Sequence, residues 1–151
     1  MEEQTKTISP SEWEIMRLAW TLGELTSTQA RVLMAKKRGW QPTTVKTLLA
    51  RLVKKGYLAV SGEVRSHVYR PLISEDSAMA FVAETAFSGM CAMKVGQTLG
   101  NLLVATPLTK TDISRLQEIL TKKMVTAPEH IACNCLPDGS SCEKEMTGES
   151  R

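Results

Sequence analysis

The chain has little of what enzyme chemistry usually draws on. Its 151 residues include only two histidines, His67 and His130, and four cysteines. They assemble into no glycine-rich phosphate loop, no zinc-protease helix and no serine–histidine–aspartate set. An enzyme is therefore not expected. Long hydrophobic runs are also missing, since no apolar stretch approaches the roughly 18 residues that suggest a membrane span. The opening, Met1 to Thr7, is acidic and polar where a secretory signal would be basic and then apolar. A cytoplasmic protein without a membrane partner is expected. The length suits one compact module with a helical extension and a short tail, not two large enzyme domains.

Acidic residues are scarce in one region in particular. Between Arg31 and Arg70 ten Lys or Arg accompany a single acid, Glu63, for a net +9, while the segments on either side each carry −3. Solvated faces normally intersperse both signs. A stretch almost free of carboxylate suits a polyanion, because each cation set against a phosphate releases condensed counterions.

What is present is strong helix punctuation. Ser9 as N-cap, Pro10 at the first helical position and Glu12 three residues after the cap open a first helix that should end at Gly23. Its apolar residues fall on two sides, Trp13, Met16 and Trp20 against Ile15, Leu18 and Leu22, which predicts burial on most faces. Thr26 and Gln29 form a capping box for a second helix. Lys36, Lys37 and Arg38 offset the dipole of its last turn, and Gly39 stops it. A third helix is predicted from about Pro42 to Gly56. Val45, Leu48, Leu49, Leu52 and Val53 form its apolar stripe, and Thr43, Thr47, Ala50 and Lys54 lie opposite, flanked by Lys46 and Arg51. Tyr57–Val60 and His67–Leu72 read as strands joined by a loop that contains Gly62.

Helix, helix, tight turn, helix, hairpin is the order of a winged helix-turn-helix, with the third helix offered to the major groove of double-stranded DNA. Thr43, Thr44, Lys46, Thr47 and Arg51 are the candidates for base or phosphate contact, and Lys54, Lys55 and Arg65 for phosphate contact alone. The fold class is mainly α with a small β-hairpin. The domains are residues 1–73 for DNA binding, 74–123 for a helical dimerisation segment and 124–151 for a cysteine-containing tail.

The helical pattern from Ser74 to about Ala105 contains Gly89, Gly96 and Gly100 and should break at least once, and Thr109 and Asp112 cap a last helix. These segments are too short to bury a core alone. Pairing with a second copy would bury them, and a homodimer also matches palindromic DNA. The tail is expected to be disordered without metal. Cys133, Cys135 and Cys142, clustered in a reducing compartment, read as metal ligands rather than a disulfide framework. Cys91 reads as a small apolar core residue, and Met79, Met90 and Met93 as packing. A thiol-redox switch is the competing reading of the tail.

The sequence resembles the penicillinase-repressor (BlaI/MecI) family and, within it, the copper-responsive CopY-type branch. The likeness is carried by Glu12-Trp13-Glu14-Ile15-Met16 with Trp20, by Thr43 to Leu49 with Arg51 to Gly56, and by Cys133-Asn134-Cys135. The resemblance implies a dimeric repressor that in a zinc-bound form holds a pseudo-palindromic operator with TACA and TGTA halves. Cu(I), delivered by a copper chaperone, would displace the Zn(II) and release the repressor, freeing copper-export genes. The branch's tail reads Cys-x-Cys, four residues, Cys-x-Cys, and Ser140 stands at its third cysteine position. The fourth zinc ligand must then come from elsewhere; His130 is the nearest candidate, with Asp138 or water behind it. Another branch of the family, responsive to β-lactams through proteolysis, resembles the first two-thirds of the chain and has no need of tail cysteines.

Overall fold

The computed structural model describes residues 7–140 and 142. The chain divides into two compact units, residues 1–82 and 83–151. Among the described residues no helix is long and apolar enough to cross a membrane.

The first unit carries α1 (Pro10–Leu22), β1 (Leu25–Thr26), α2 (Ser27–Arg38), α3 (Pro42–Lys54), β2 (Leu58–Ser61) and β3 (Val68–Pro71). The strands form an antiparallel sheet in the order β1-β3-β2, with Leu25 opposite Tyr69 and Val60 opposite the same residue on the other side. Three helices closed by this small sheet are the winged helix-turn-helix that the sequence predicts. The addition is β1, two residues that turn the expected two-stranded hairpin into a three-stranded sheet. The loop of residues 62–67 between β2 and β3 is the wing. At its first bend Gly62 has φ +88°, and a Cβ there would stand 2.5 Å from the Ser66 carbonyl oxygen, so only glycine fits.

The core is a single cluster in which Ile15, Met16 and Ala19 of α1 meet Ala30 and Met34 of α2 and Val45, Leu48, Leu49 and Leu52 of α3, with Leu25, Tyr57 and Leu58 beneath. The buried stripe of α1 is narrower than expected: Leu22 is exposed, and Trp13 and Trp20 are half-buried, packed edge to face at 5.2 Å. The Trp20 indole N–H donates to the Ile73 carbonyl at 2.9 Å and ties the segment after β3 back to α1.

Two ion pairs hold the helices in register. Glu14 pairs with Lys37 and Arg38 at 2.8 Å each, so two of the three cations in the last turn of α2 also dock α1. Their hydrogen bonds bring the Glu14 carboxyl down to about 2, so this attraction is complete above the ordinary carboxylate range and is lost as pH falls through about 2. Glu12 differs from its expected role. Its backbone N–H donates to the Ser9 hydroxyl at 3.2 Å, as a cap requires, but its carboxylate is buried and accepts from the Lys55 ammonium at 2.7 and 2.8 Å.

The helix α4 (Glu75–Ser88) is capped by Ser74, whose hydroxyl accepts from the Ser77 N–H at 3.1 Å. The second unit then continues through the expected break: a bend at Gly89–Cys91, a 3₁₀ turn (Ala92–Lys94), α5 (Val95–Ala105) and α6 (Lys110–Met124). Thr109 and Asp112 form a reciprocal capping box at the start of α6. No described residue of this unit is buried, and Leu99, Leu102, Leu103, Val104, Ile113, Ile119 and Leu120 are all exposed apolar side chains.

Candidate functional site

Two sites emerge, one in each unit. In the first, the apolar stripe of α3 faces the core and its other face is free: Thr43, Thr44, Lys46, Thr47, Ala50, Arg51 and Lys54 are all exposed. Pro42 presets the first turn, and 13 residues give a rod about 20 Å long, a shape the major groove admits. The Thr47 hydroxyl donates to the Thr43 carbonyl at 2.9 Å, which leaves its oxygen to act as an acceptor. Beside this helix a cavity of about 430 Å³ is lined by Thr43 and Lys46 of α3, Ser27 and Arg31 of α2, and Arg65 and His67 of the wing and its base. His67 packs edge-on to Tyr69 and carries a buried Nδ1 with no hydrogen-bond partner among the described residues.

The basic stretch separates into two populations. Lys37, Arg38, Lys55 and Arg70 are ion-paired inside the unit, the first two sharing Glu14 and the others held by Glu12 and Glu24. Arg31, Lys36, Lys46, Arg51, Lys54 and Arg65 form no ion pair among the described residues. Lys55, expected at a phosphate, is engaged inside the unit. Its ammonium is held by both Glu12 oxygens and by the Thr7 carbonyl at 3.0 Å. Arg31 lines the same cavity as Lys46 and Arg65, a placement not read from the sequence because a cation on the second helix carries no pattern that sets it apart from a solvated one.

In the second unit Cys133, Cys135 and Cys142 come together as expected, and Cys91 joins them. The four sulfur atoms lie within 4.8 Å of one another, with Cys91–Cys133 at 3.9 Å, Cys91–Cys142 at 3.6 Å and Cys133–Cys142 at 3.4 Å. All four are free thiols; Cys135 is exposed and the others are half-buried. Cys91 is therefore not the apolar core residue that its isolation in the sequence suggested. From Val125 to Ser140 the tail has a defined path without helix or strand, and a turn closed by the Gly139 N–H on the Leu136 carbonyl precedes Cys142. Residues 143–151 lie outside the described part.

Backbone N–H groups of Cys135 and Cys142, then the thiols of the same two residues, hydrogen-bond to the Cys133 sulfur and bring its pKa down to about 6. The partner thiols shift the other way: Cys135, bonded to Cys133 and Cys91, is pushed up to about 12, and Cys142 is raised for the same reason. The hydrogen bonds thus favour the thiolate at Cys133 over Cys135 and Cys142, and a thiolate is the form of cysteine that binds metal. His130 is not among the clustered donors. Asp138 accepts from the Ser140 N–H at 2.9 Å and hydroxyl at 2.7 Å, so both residues are occupied with each other.

Comparison with known proteins places the chain among repressors. A family profile described as penicillinase repressor matches residues 8–122. An uncharacterized 16.5 kDa protein in the ptsI 3′ region of Latilactobacillus sakei is 47% identical over 145 residues, 96% of this chain and 99% of that one. The methicillin resistance regulatory protein MecI of Mammaliicoccus sciuri is 25% identical over 123 residues, 82% of this chain and all of that one. The solved CopR repressor structure is 40% identical over 46% of this chain and 100% of its own, with a TM-score of 0.38.

Proposed function

The chain belongs to the penicillinase repressor family, and from that premise we propose that it is a copper-responsive transcriptional repressor. It binds a pseudo-palindromic operator of TACA and TGTA halves as a homodimer, in a zinc-loaded form. It leaves the DNA when Cu(I), passed on by a copper chaperone, takes the thiols of Cys133, Cys135 and Cys142. The observation that carries the metal part is the gathering of these sulfurs within 4.8 Å of one another, in a tail that lies beyond the end of the family match at residue 122. Thiolates select soft ions, and Cu(I) accepts low coordination numbers.

The DNA part rests on the unpaired cations. Thr43, Thr44, Lys46, Thr47 and Arg51 enter the major groove, while Arg31, Lys54 and Arg65 hold phosphates on either side. The dimer rests on residues 83–140, whose exposed leucines and isoleucines have no interior of their own. A groove of about 290 Å³ between α5 and α6, floored by Leu103, Leu116 and Leu120, receives the same helices of a second copy. In this reading residues 1–73 read DNA, 74–123 pair the chains and the remainder senses metal.

A duplex carrying two such half-sites is expected to outcompete a scrambled duplex of the same length at moderate salt, and equal binding would defeat the proposal. Arg51→Ala should weaken the specific complex by about 1–3 kcal/mol if the guanidinium reads a base. An unchanged affinity removes Arg51 from the interface. Relatives named for methicillin resistance favour a second reading, release by proteolysis in answer to a β-lactam. That reading gives the thiols no task, and it predicts an operator complex that copper leaves intact.

A further inference from the structure

We propose that Cys91 is the fourth thiolate of a zinc site closed within a single chain, and that this site fastens the tail to the bend between α4 and α5. The proposal rests on the reading of the tail as metal-binding and adds a ligand which that reading lacks. A tetrahedral zinc site with Zn–S bonds of about 2.3 Å has sulfur–sulfur edges of roughly 3.8 Å. The three edges among Cys91, Cys133 and Cys142 are 3.4, 3.6 and 3.9 Å, and Cys135 completes the set with all four sulfurs within 4.8 Å. Three of the thiols therefore stand close to the edge length of such a tetrahedron and the fourth within reach of a common centre, all far from the roughly 2.05 Å of a disulfide.

A second contact, independent of sulfur, holds the same two segments together. Asn134, between the first two tail cysteines, accepts a hydrogen bond on Oδ1 from the Ala92 N–H at 2.9 Å. That N–H belongs to the residue next to Cys91, at the start of the 3₁₀ turn, where the Cys91 carbonyl in turn accepts from the Lys94 N–H at 2.9 Å. Asn134 thus fixes the backbone at Cys91 as the tail passes, and the Leu136–Gly139 turn brings Cys142 back to the same place. Ser140 and Asp138 in the same tail are engaged with each other.

The fourth ligand also says where the metal acts. Cys91 and Cys133 are 42 positions apart, and α5 and α6 lie between them. Closing this loop around zinc constrains the two helices that carry the exposed apolar side chains. Zinc in a structural site wants four ligands, whereas Cu(I) is satisfied by fewer. Cu(I) can therefore be held by the tail thiols alone, and the link at Cys91 opens.

The test is zinc affinity of the full chain under reductant, measured by competition with a chromophoric chelator, for the native protein, Cys91→Ser and Cys91→His. The native chain should take one zinc per chain at all protein concentrations. Cys91→Ser should bind zinc more than ~100-fold more weakly, a loss beyond the 10–100-fold typical of outer-shell partners. Cys91→His should regain much of it, because imidazole is itself a zinc ligand, while both variants keep Cu(I) binding. Unchanged zinc affinity in Cys91→Ser would overturn the proposal, as would a loss that histidine does not restore or a stoichiometry of one zinc per two chains. A native chain that binds neither metal would instead bring down the metal-sensing function itself.

Discussion

Raising the salt from about 50 to about 200 mM is expected to weaken the complex of this repressor with its operator by about 10³- to 10⁵-fold. The magnitude follows from the sorting of charges in the first unit. Arg31, Lys46, Arg51, Lys54 and Arg65 are left unpaired by the fold's carboxylates and are gathered on α3, the start of α2 and the wing. Two chains on a two-fold-symmetric duplex bring ten such groups to the DNA. With some of them reading bases, about 6–10 phosphates are neutralised, each contributing about −0.9 to the slope of log K against log salt. Fluorescence anisotropy over a salt series measures that slope. A value near −2 would mean that the cations do not face the backbone and that α3 is a solvated surface.

Lys55→Met is expected to destabilise the first unit by about 3–5 kcal/mol, although it removes a side chain that the sequence alone would place at a phosphate. The buried Glu12 carboxylate would lose the ammonium that both its oxygens bind, and an uncompensated charge would remain against the core at Tyr57. Replacing the pair together, Glu12→Leu with Lys55→Met, should recover most of the loss, because a buried ion pair is close to neutral against an apolar pair of similar volume. Urea unfolding of the three proteins measures both effects. Lys55→Met with native stability would show that Glu12 finds other partners or water.

The pair illustrates where the sequence is legible and where it is not. Helix boundaries are written locally. Ser9, Thr26 and Thr109 cap within three residues of themselves, and the structure places α1, α2 and α6 where those signals do. The buried stripe of α3 is equally plain from its 3.6-residue period. Glu12 was misjudged because a carboxylate at the third helical position has a sufficient local role, and its tertiary partner is 43 residues away. The strand β1 escaped because two residues have no period, and only their pairing with Val68 and Tyr69 makes them a strand.

The same limit governs the metal site. Cys133, Cys135 and Cys142 announce themselves by spacing, and Ser140 in the pattern announces that a ligand is missing. The fourth clustered thiol, Cys91, sits on a bend 42 residues earlier and carries no local sign. Its signal was the arithmetic of four cysteines and a site that wants four. Arg31 was hidden in the same way: it lines the cavity beside α3 only because α2 packs there.

The most direct test is to form the complex of the zinc-loaded protein with a TACA/TGTA duplex under reductant and titrate it with Cu(I) in a gel shift. The expected result is loss of the shifted band at a few copper ions per chain, with no loss when Cys133 and Cys135 are both serine. A native complex that stays on the DNA throughout the titration would contradict the account, because the thiols would then have no hold on how the two DNA-reading units sit.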